Sequence, residues 1–398
     1  MAATEKGVWD LQDVRDKQLQ SEWDYTSSSG FLWSWGKGDD WGNLGHNTRQ
    51  TVSSPVQGGS DGTWVELGID GRVYGSNFGI KTDGTMWAWG LNTVGQLGLN
   101  SPTNAARSSP TQIPGSTWSK LSHAYLRASA VKTDGTLWLW GYNNKGQLGH
   151  NNITDYSSPV QISGDWTGAS IFNTGEATRN SISVIKTDGT LWVWGNNDDG
   201  CLGLNQPQTS RKSSPTQIPG TTWAHSTEGR HIVRTKTDGT LWASGYNGTR
   251  GQLGQNNRTS YSSPVQIPGT TWTHLSCARG SMVTAIKTNG TLWTWGRNEH
   301  GQLGLNTAGT YTDKSSPTQI GTDTTWRYAR GGNKSVFAVK TDGTLWSWGY
   351  NYYGQLGLNE GSESGVKSKS SPCQIPGSWS GEVGVTDETL FAIKNLFQ

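Results

Sequence analysis

Apolar and polar positions alternate along this chain in short runs, and one run returns many times. In "KTDGTLWLWGYNNKGQLG", residues 132–149, Trp138 and Trp140 fall on one side of an extended strand, whereas Leu137 and Leu139 fall on the other. Because both sides are apolar, the pattern predicts strands in sheets that pack against a neighbour on each face. The letters "GQLG" then turn the chain, and segments such as "SSPVQIPG" predict an outer strand, where proline is tolerated.

The apolar strands after the first one follow an Asp-Gly pair or, once, an Asn-Gly pair, which indicates a tight hairpin. A two-residue type I′ turn is expected, since Asp and Gly tolerate positive φ. The acidic positions are Asp83, Asp134, Asp188, Asp238 and Asp342, with Asn289 as the substitute. A lysine stands two positions before each of them, and we interpret these lysines as solvated strand ends.

The repeat fills nearly the whole chain. Seven copies of the W-x-W-G pattern, one of them with Ser244 in place of the second Trp, end at Gly36, Gly90, Gly141, Gly195, Gly245, Gly296 and Gly349. Their spacing of 50 to 54 residues holds four short strands and their turns, as in one blade of a β-propeller. We number the blades one to seven in this order. A third Trp recurs in every unit, so most tryptophans are predicted to pack between blades.

The two ends of the chain complement each other. The first unit lacks the strand that precedes its hairpin, and the last unit ends with that strand, in "LFAIKNLFQ". Residues of about 389–394 are therefore predicted to pair with about 31–36 and to close the ring. The predicted fold is all-β, a seven-bladed β-propeller over residues 30–398.

The hairpin D-G-x-L-x-x-W-G and the turn N-x-x-G-Q-L-G, as in "TDGTLWLWGYNNKGQLG", resemble the regulator of chromosome condensation repeat family. The resemblance covers about residues 30–398 and implies a seven-bladed propeller. Family members include the exchange factor for the GTPase Ran, bacterial β-lactamase-inhibitor proteins and many binding proteins. The exchange role would require a long insertion, and the chromatin role of the same factor a basic tail; neither is visible in this sequence.

Residues 1–29 stand outside the repeat and form a predicted attachment segment. Asp10 is a candidate N-cap for a short helix over about residues 10–21. The candidate anchor residues are Trp9, Leu11, Val14, Leu19 and Trp23. The segment is similar to attachment segments in structural proteins of marine bacteriophages, but a helix that only covers the ring closure explains the pattern equally well.

Charge, cysteine content and hydropathy narrow the function classes. The net charge of +2 does not suggest a nucleic-acid partner, and three distant cysteines suggest neither a disulfide framework nor a zinc site. The chain shows no apolar run of transmembrane length and no signal peptide. A soluble protein without membrane insertion is expected, made in a host cytoplasm and, under the virion hypothesis given below, carried in a virus particle.

No motif in the sequence indicates catalysis. The seven histidines lack metal-binding spacing, and neither a G-x-S-x-G elbow nor a nucleotide-binding glycine loop is present. We therefore predict no enzyme activity, no cofactor and no metal. His225 and His274 share one repeat position, which we expect to face the rim or channel.

The loops before the Ser-Ser-Pro strands vary most among the units. We expect a rigid ring to present them as a recognition surface on blades five to seven, although simple drift in loop length explains them as well. The candidate interface residues are Tyr246, Tyr311, Lys314, Tyr350, Tyr352, Tyr353, Glu360 and Glu363.

The leading hypothesis is a non-enzymatic binding or structural module, placed in a bacteriophage particle and anchored by its N-terminus. Its partners would be proteins, including other virion proteins. One alternative is a protein inhibitor or regulator that covers a partner with one propeller face. Another is a lectin that binds surface glycans, for which loops of equal length are expected.

Overall fold

The structure is a computed structural model in which almost all the described residues are β-strand or turn. It describes residues 32–36, 41–49, 52–57, 60–69, 75–101, 105–124, 126–167, 169–173, 181–206, 210–227, 231–278, 281–309, 312–332, 334–351, 356–358, 368–376, 379–385 and 390–394. These residues form 28 strands and one short 3-10 turn at Asp198–Gly200. The predicted helix over residues 10–21 lies outside them.

Six four-stranded antiparallel sheets follow one another along the chain, each with its strands in sequence order. Blade two contains β3 (Trp64–Ile69), β4 (Ser76–Lys81), β5 (Met86–Gly90) and β6 (Arg107–Ile113). Blade three contains β7 (Trp118–Ala124), β8 (Arg127–Lys132), β9 (Leu137–Gly141) and β10 (Tyr156–Ile162). Blade four contains β11 (Ser170–Asn173), β12 (Ser181–Ile185), β13 (Leu191–Gly195) and β14 (Lys212–Ile218).

The other three complete blades repeat this plan. Blade five contains β15 (Trp223–Ser226), β16 (His231–Lys236), β17 (Leu241–Gly245) and β18 (Tyr261–Ile267). Blade six contains β19 (Trp272–Ala278), β20 (Met282–Lys287), β21 (Leu292–Gly296) and β22 (Lys314–Gln319). Blade seven contains β23 (Trp326–Gly331), β24 (Ser335–Lys340), β25 (Leu345–Gly349) and β26 (Lys369–Ile375). The first strands of successive blades are neighbours, so these strands surround the centre.

The remaining strands form two half-sheets at the chain ends. β1 (Trp33–Gly36) pairs with β2 (Val52–Gln57), and β27 (Trp379–Val385) pairs with β28 (Leu390–Lys394). β28 lies beside β1, but no backbone ladder joins these two strands among the described residues. Closure of the ring by this pair therefore stays a prediction.

The Asp-Gly hairpins differ from the type I′ turn that the sequence suggested. In blade three, Gly135 N donates to Lys132 O and Lys132 N donates to Thr136 O, which encloses a three-residue loop. Within it only Gly135 has positive φ. This is a type I turn followed by a left-handed glycine. The prediction was wrong because Asp134 does not need positive φ; its carboxylate instead accepts hydrogen bonds from Thr136 N and Oγ1.

The core lies between blades, as the alternating apolar positions predicted. Trp140 packs with Phe78 and Ile80 of blade two, whereas Leu137 and Leu139 pack with residues of blade four. The tryptophan face of one blade thus meets the leucine face of the blade before it. Five of the second tryptophans are almost fully buried, namely Trp89, Trp140, Trp194, Trp295 and Trp348.

A hydrogen bond between blades accompanies this packing. Trp140 Nε1 donates to the carbonyl of Gln96, in the G-Q-L-G turn of the preceding blade, over 2.9 Å. The same bond is made by Trp89, Trp194, Trp295 and Trp348 to Asn43, Gln147, Gln252 and Gln302 over 2.9 to 3.1 Å. In blade five, Ser244 replaces the indole, and its Oγ donates to the carbonyl of Cys201.

Candidate functional site

Because the strands of each blade are antiparallel, their ends form two distinct faces. The turn face carries the Asp-Gly turns and the segments that lead into the third Trp; Trp118 N, for example, donates to Gly84 O of the preceding blade. The loop face carries the N-x-x-G-Q-L-G turns and the variable loops; Asn151 N donates there to Ser213 O of the next blade. We use these two names below.

The lysines of the turn face are not simple solvated strand ends, which corrects the interpretation from the sequence. Lys132 Nζ lies 4.7 Å from the ring centre of Trp118 and 4.6 Å from that of Trp138. A lysine of each complete blade contacts two indoles in this way, because the third Trp and the first Trp of the W-x-W-G pattern converge at the strand end. These lysines are Lys81, Lys132, Lys186, Lys236, Lys287 and Lys340. The face of an indole attracts a cation, so the stacks tie the first strand to the third.

Two blades add an ion pair to the stack. Lys81 Nζ lies 2.6 Å from Asp61, and Lys340 Nζ lies 2.5 Å from Asp323. The lysine holds the pKa of each carboxyl at about 2, with help from hydrogen bonds donated by Thr63 and Thr325. The turn face is therefore a repeated structural layer, with its charges used within the fold.

The histidines that share a repeat position lie on the first strands and join blades. His274 Nε2 lies 3.0 Å from Ala329 O in the next blade, and its ring contacts the ring of Tyr328. His225 is 6.4 Å from His274 between ring centres, and its ring bonds to the backbone of Leu275. Burial lowers the pKa of His225 to about 4 and also lowers that of His274. Both imidazoles are thus neutral at pH 7 and act as structural links near the centre.

The described part of the chain contains no group of three His, Cys, Asp or Glu residues that could hold a metal ion. It also contains no helix that is long and apolar enough to cross a membrane. The buried asparagines of the N-x-x-G-Q-L-G turns have a structural role: Asn298 Oδ1 accepts from Leu303 N, and its Nδ2 donates to Thr307 O. These bonds hold each turn while leaving its other positions free to vary.

Three of the predicted interface residues lie in the described part of the loop face. Tyr246 and Tyr350 are half-buried beside the ends of β17 and β25, and Lys314 is exposed at the start of β22. Tyr311, Tyr352, Tyr353, Glu360 and Glu363 lie outside the described residues. The anchor residues Trp9, Leu11, Val14, Leu19 and Trp23 also lie outside them.

Tyr350 is the centre of a contact group that joins blades six and seven. Lys334 Nζ lies 5.0 Å from the centre of its ring, and the His300 ring lies 4.8 Å from it. Tyr350 N also donates to Lys334 O. Burial and the Lys334 charge lower the pKa of His300, so that the imidazole is neutral and packs as a flat ring.

Two ion pairs extend this group towards blade five. Arg250 Nη1 lies 3.0 Å from Asp313 Oδ2, and Asp313 Oδ1 accepts from Asn298 N. Arg297 Nε donates to Glu299 Oε2 over 2.9 Å. We call Tyr246, Arg250, Arg297, Glu299, His300, Asp313, Lys314, Lys334 and Tyr350 the loop-face cluster.

Six members of the cluster were missed from the sequence, namely Arg250, Arg297, Glu299, His300, Asp313 and Lys334. Arg297 and Tyr350 occupy the same position, directly after the W-x-W-G glycine, so alignment of the units could have identified Arg297. Lys334 comes directly before β24, not after the W-x-W-G glycine. Only the hydrogen bond from Tyr350 N to Lys334 O shows that these two residues are neighbours.

The family model for the regulator of chromosome condensation (RCC1) repeat matches residues 83–124, 134–169, 188–228, 238–284, 289–339 and 342–385. Together these segments cover more than half of the chain. The chain belongs to the RCC1 repeat family. This membership indicates a protein-binding or regulatory role at the coarse level.

Relatives within the RCC1 repeat family extend the match. The ultraviolet-B receptor UVR8 of Arabidopsis thaliana is 27% identical over 350 residues, which is 84% of this chain and 76% of that protein. Human RCC2 is 32% identical over 139 residues, 34% of this chain and 26% of that protein. The crystal structure of Prp20p from Saccharomyces cerevisiae has a TM-score of 0.73 at 17% identity and covers 93% of this chain and 94% of its own. It supports the propeller fold alone.

Proposed function

We propose that this RCC1-repeat propeller is a non-enzymatic binding module that docks a protein partner on its loop face, across blades five to seven. The loop-face cluster carries the proposal. The turn face repeats the same lysine–indole contact in each complete blade, whereas the contacts of Tyr350 with Lys334 and His300 occur at one place only among the described residues. A surface that differs from blade to blade on a uniform scaffold can distinguish partners.

The composition of the cluster supports a protein partner. Half-buried tyrosines and arginines held by ion pairs offer contact area at a low entropic cost, and both residue types are enriched in protein interfaces. Prp20p, which shares the fold, is described by its binding to Gsp1p and histones. A regulator that covers its partner would use the same face, so the inhibitor reading is a special case of this proposal.

The other readings lack a specific observation in their favour. Equivalent sugar pockets would require similar loops in each blade, and the described loop contacts differ. Attachment to a virus particle through residues 1–29 remains a separate prediction, since those residues lie outside the described part. None of the relatives named above is a virus protein.

Site-specific photo-crosslinking tests the proposal. Benzoylphenylalanine is placed at position 350 on the loop face and, as a matched control, at position 342 on the turn face. In extract from the source cells we expect a discrete protein adduct at 350 that excess unlabelled chain removes, and no such adduct at 342. Equal labelling at both positions, or an adduct at 342 alone, would refute docking on the loop face.

A further inference from the structure

The two faces of the propeller differ in charge. On the described loop face, basic residues outnumber acidic ones. The basic residues are Arg49, Arg107, Lys145, Arg211, Lys212, Arg250, Arg258, Arg297, Lys314, Lys334 and Lys369; the acidic residues are Asp155, Asp198, Asp199, Glu299 and Asp313. On the turn face the lysines stack on indoles, and an aspartate accompanies nearly every turn. The described part of the loop face therefore carries a net positive charge.

Within the loop face, ion pairs and a ring stack hold cations of blades five to seven in place. The Asp313 side chain is only 6% exposed, whereas its partner Arg250 is 27% exposed, so the positive half of that ion pair faces the solvent. Lys314 is exposed, and Lys334 is held over the Tyr350 ring. A guanidinium that uses one N–H for an ion pair keeps further donors for a second carboxylate.

We infer that the loop-face cluster recognises an acidic segment of a partner protein, with carboxylates placed against Arg250, Arg297, Lys314 and Lys334. This inference rests on the proposed function and adds the chemistry of the partner. Opposite potentials steer encounter and fix the orientation of a complex, and the basic residues of the described loop face would attract such a partner. The Tyr246 and Tyr350 rings supply the apolar contact between the charges.

A nucleic acid is the other polyanion to consider, and the cluster fits it less well. Phosphate binding relies on cations that can displace counterions along a backbone. Here Glu299 lies beside Arg297 and would face the phosphates, whereas a protein segment can place a neutral or basic residue opposite it. The acidic protein segment is therefore the occupant that we propose.

Binding of a fluorescent deca-glutamate peptide to the full chain, followed by anisotropy, tests the inference. The variant Arg297→Gln/Lys314→Gln/Lys334→Gln removes three cations of the cluster. The control variant Lys145→Gln/Arg211→Gln/Lys212→Gln removes three from the loop face of blades three and four. We expect the first variant to weaken binding about tenfold and the control about twofold or less, with both losses shrinking at high salt.

Three outcomes overturn the inference: no binding of the peptide, equal loss in both variants, or tighter binding of a 20-base-pair DNA duplex that the first variant also weakens. Thermal unfolding of both variants checks that they fold. The crosslinking at position 350 separates the two proposals. If an adduct forms at position 350 while the peptide does not bind, docking on the loop face is supported and the acidic nature of the partner is refuted.

Discussion

Arg234 donates a hydrogen bond of 2.9 Å to Ser244 Oγ, inside the joint between blades four and five. At the other described joints an indole fills this space, and the last glycine of the preceding G-x-L-G turn lies against its Nε1. Gly203 lies instead against Arg234 Nη1. Arg234 is fully buried, and it stands where Ala130, Ala285 and Ala338 stand in blades whose tryptophan is present. The arginine therefore replaces the missing indole.

This replacement predicts strong coupling between the two positions. Arg234→Ala leaves a cavity and should lower the free energy of unfolding by about 2–4 kcal/mol. Ser244→Trp alone overfills the joint and should cost about 1–3 kcal/mol. The double variant recreates the alanine and tryptophan of blade three, with an indole that can donate to Cys201 O, and should recover most of the loss. Denaturant unfolding of all four proteins gives the coupling energy, and simple additivity would contradict the replacement.

The lysine stacks predict a stability effect at half-exposed positions. Lys132→Met keeps the aliphatic stem but removes the charge from between Trp118 and Trp138, and should lower the free energy of unfolding by about 1–2 kcal/mol. Lys340→Met should cost more, because it also leaves Asp323 without its ion pair. Lys314→Met, at an exposed site without a stack, serves as the control and should change stability by less than about 0.5 kcal/mol. Equal effects of all three changes would show that the stacks add nothing.

In the Asp-Gly turns, we expect the side-chain oxygen that accepts the hydrogen bonds to matter more for stability than the charge of the carboxylate. Asp134→Asn should be almost neutral, because Asn289 Oδ1 already accepts from Thr291 N and Oγ1 in blade six. Asp134→Ala removes both hydrogen bonds to Oδ1 and should lower the midpoint temperature of unfolding. Thermal unfolding of both variants measures the difference. A large loss in the Asn variant would mean that the carboxylate charge holds the turn.

The inner histidines predict a loss of stability in mild acid. The pKa of His225 falls from 6.5 in the unfolded chain to about 4 in the fold, so between these values the unfolded chain binds the extra proton. Stability then falls as the pH drops from about 6.5 to 4, by up to about 3 kcal/mol, and this contribution is constant below that range. In that pH range, His225→Gln should reduce the slope of the unfolding free energy against pH by the equivalent of about one bound proton. An unchanged slope would mean that His225 titrates normally.

The blade plan was predictable from the sequence because it rests on local signals. The alternation of Trp138 and Trp140 with Leu137 and Leu139 assigns both faces of a strand without any knowledge of its neighbours. The Asp-Gly pair likewise located the hairpin, although its turn type depends on which residue takes positive φ. The amino-acid sequence does not determine which of the two residues takes positive φ, because both Asp and Gly tolerate it.

The following side-chain contacts were not predictable, because they join residues that lie on different strands or on different blades. The stacking of Lys132 on Trp118 needs the first and third strands to converge at one end. Arg234 fills the space left by Ser244 although neither residue alone signals the other. The sequence named Tyr350 as an interface candidate but not Lys334 and His300, which reach its ring from a different strand and a different blade.

The bond from each indole to the preceding turn also gives the ring a direction. Every described joint has a donor side and an acceptor side, so a run of these blades ends in two unlike surfaces that fit one another. A chain whose ends do not meet offers those surfaces to the next molecule, and such head-to-tail contact extends into a filament unless a rotation closes it. Contact between the two ends of one chain would cover both surfaces and leave a closed ring.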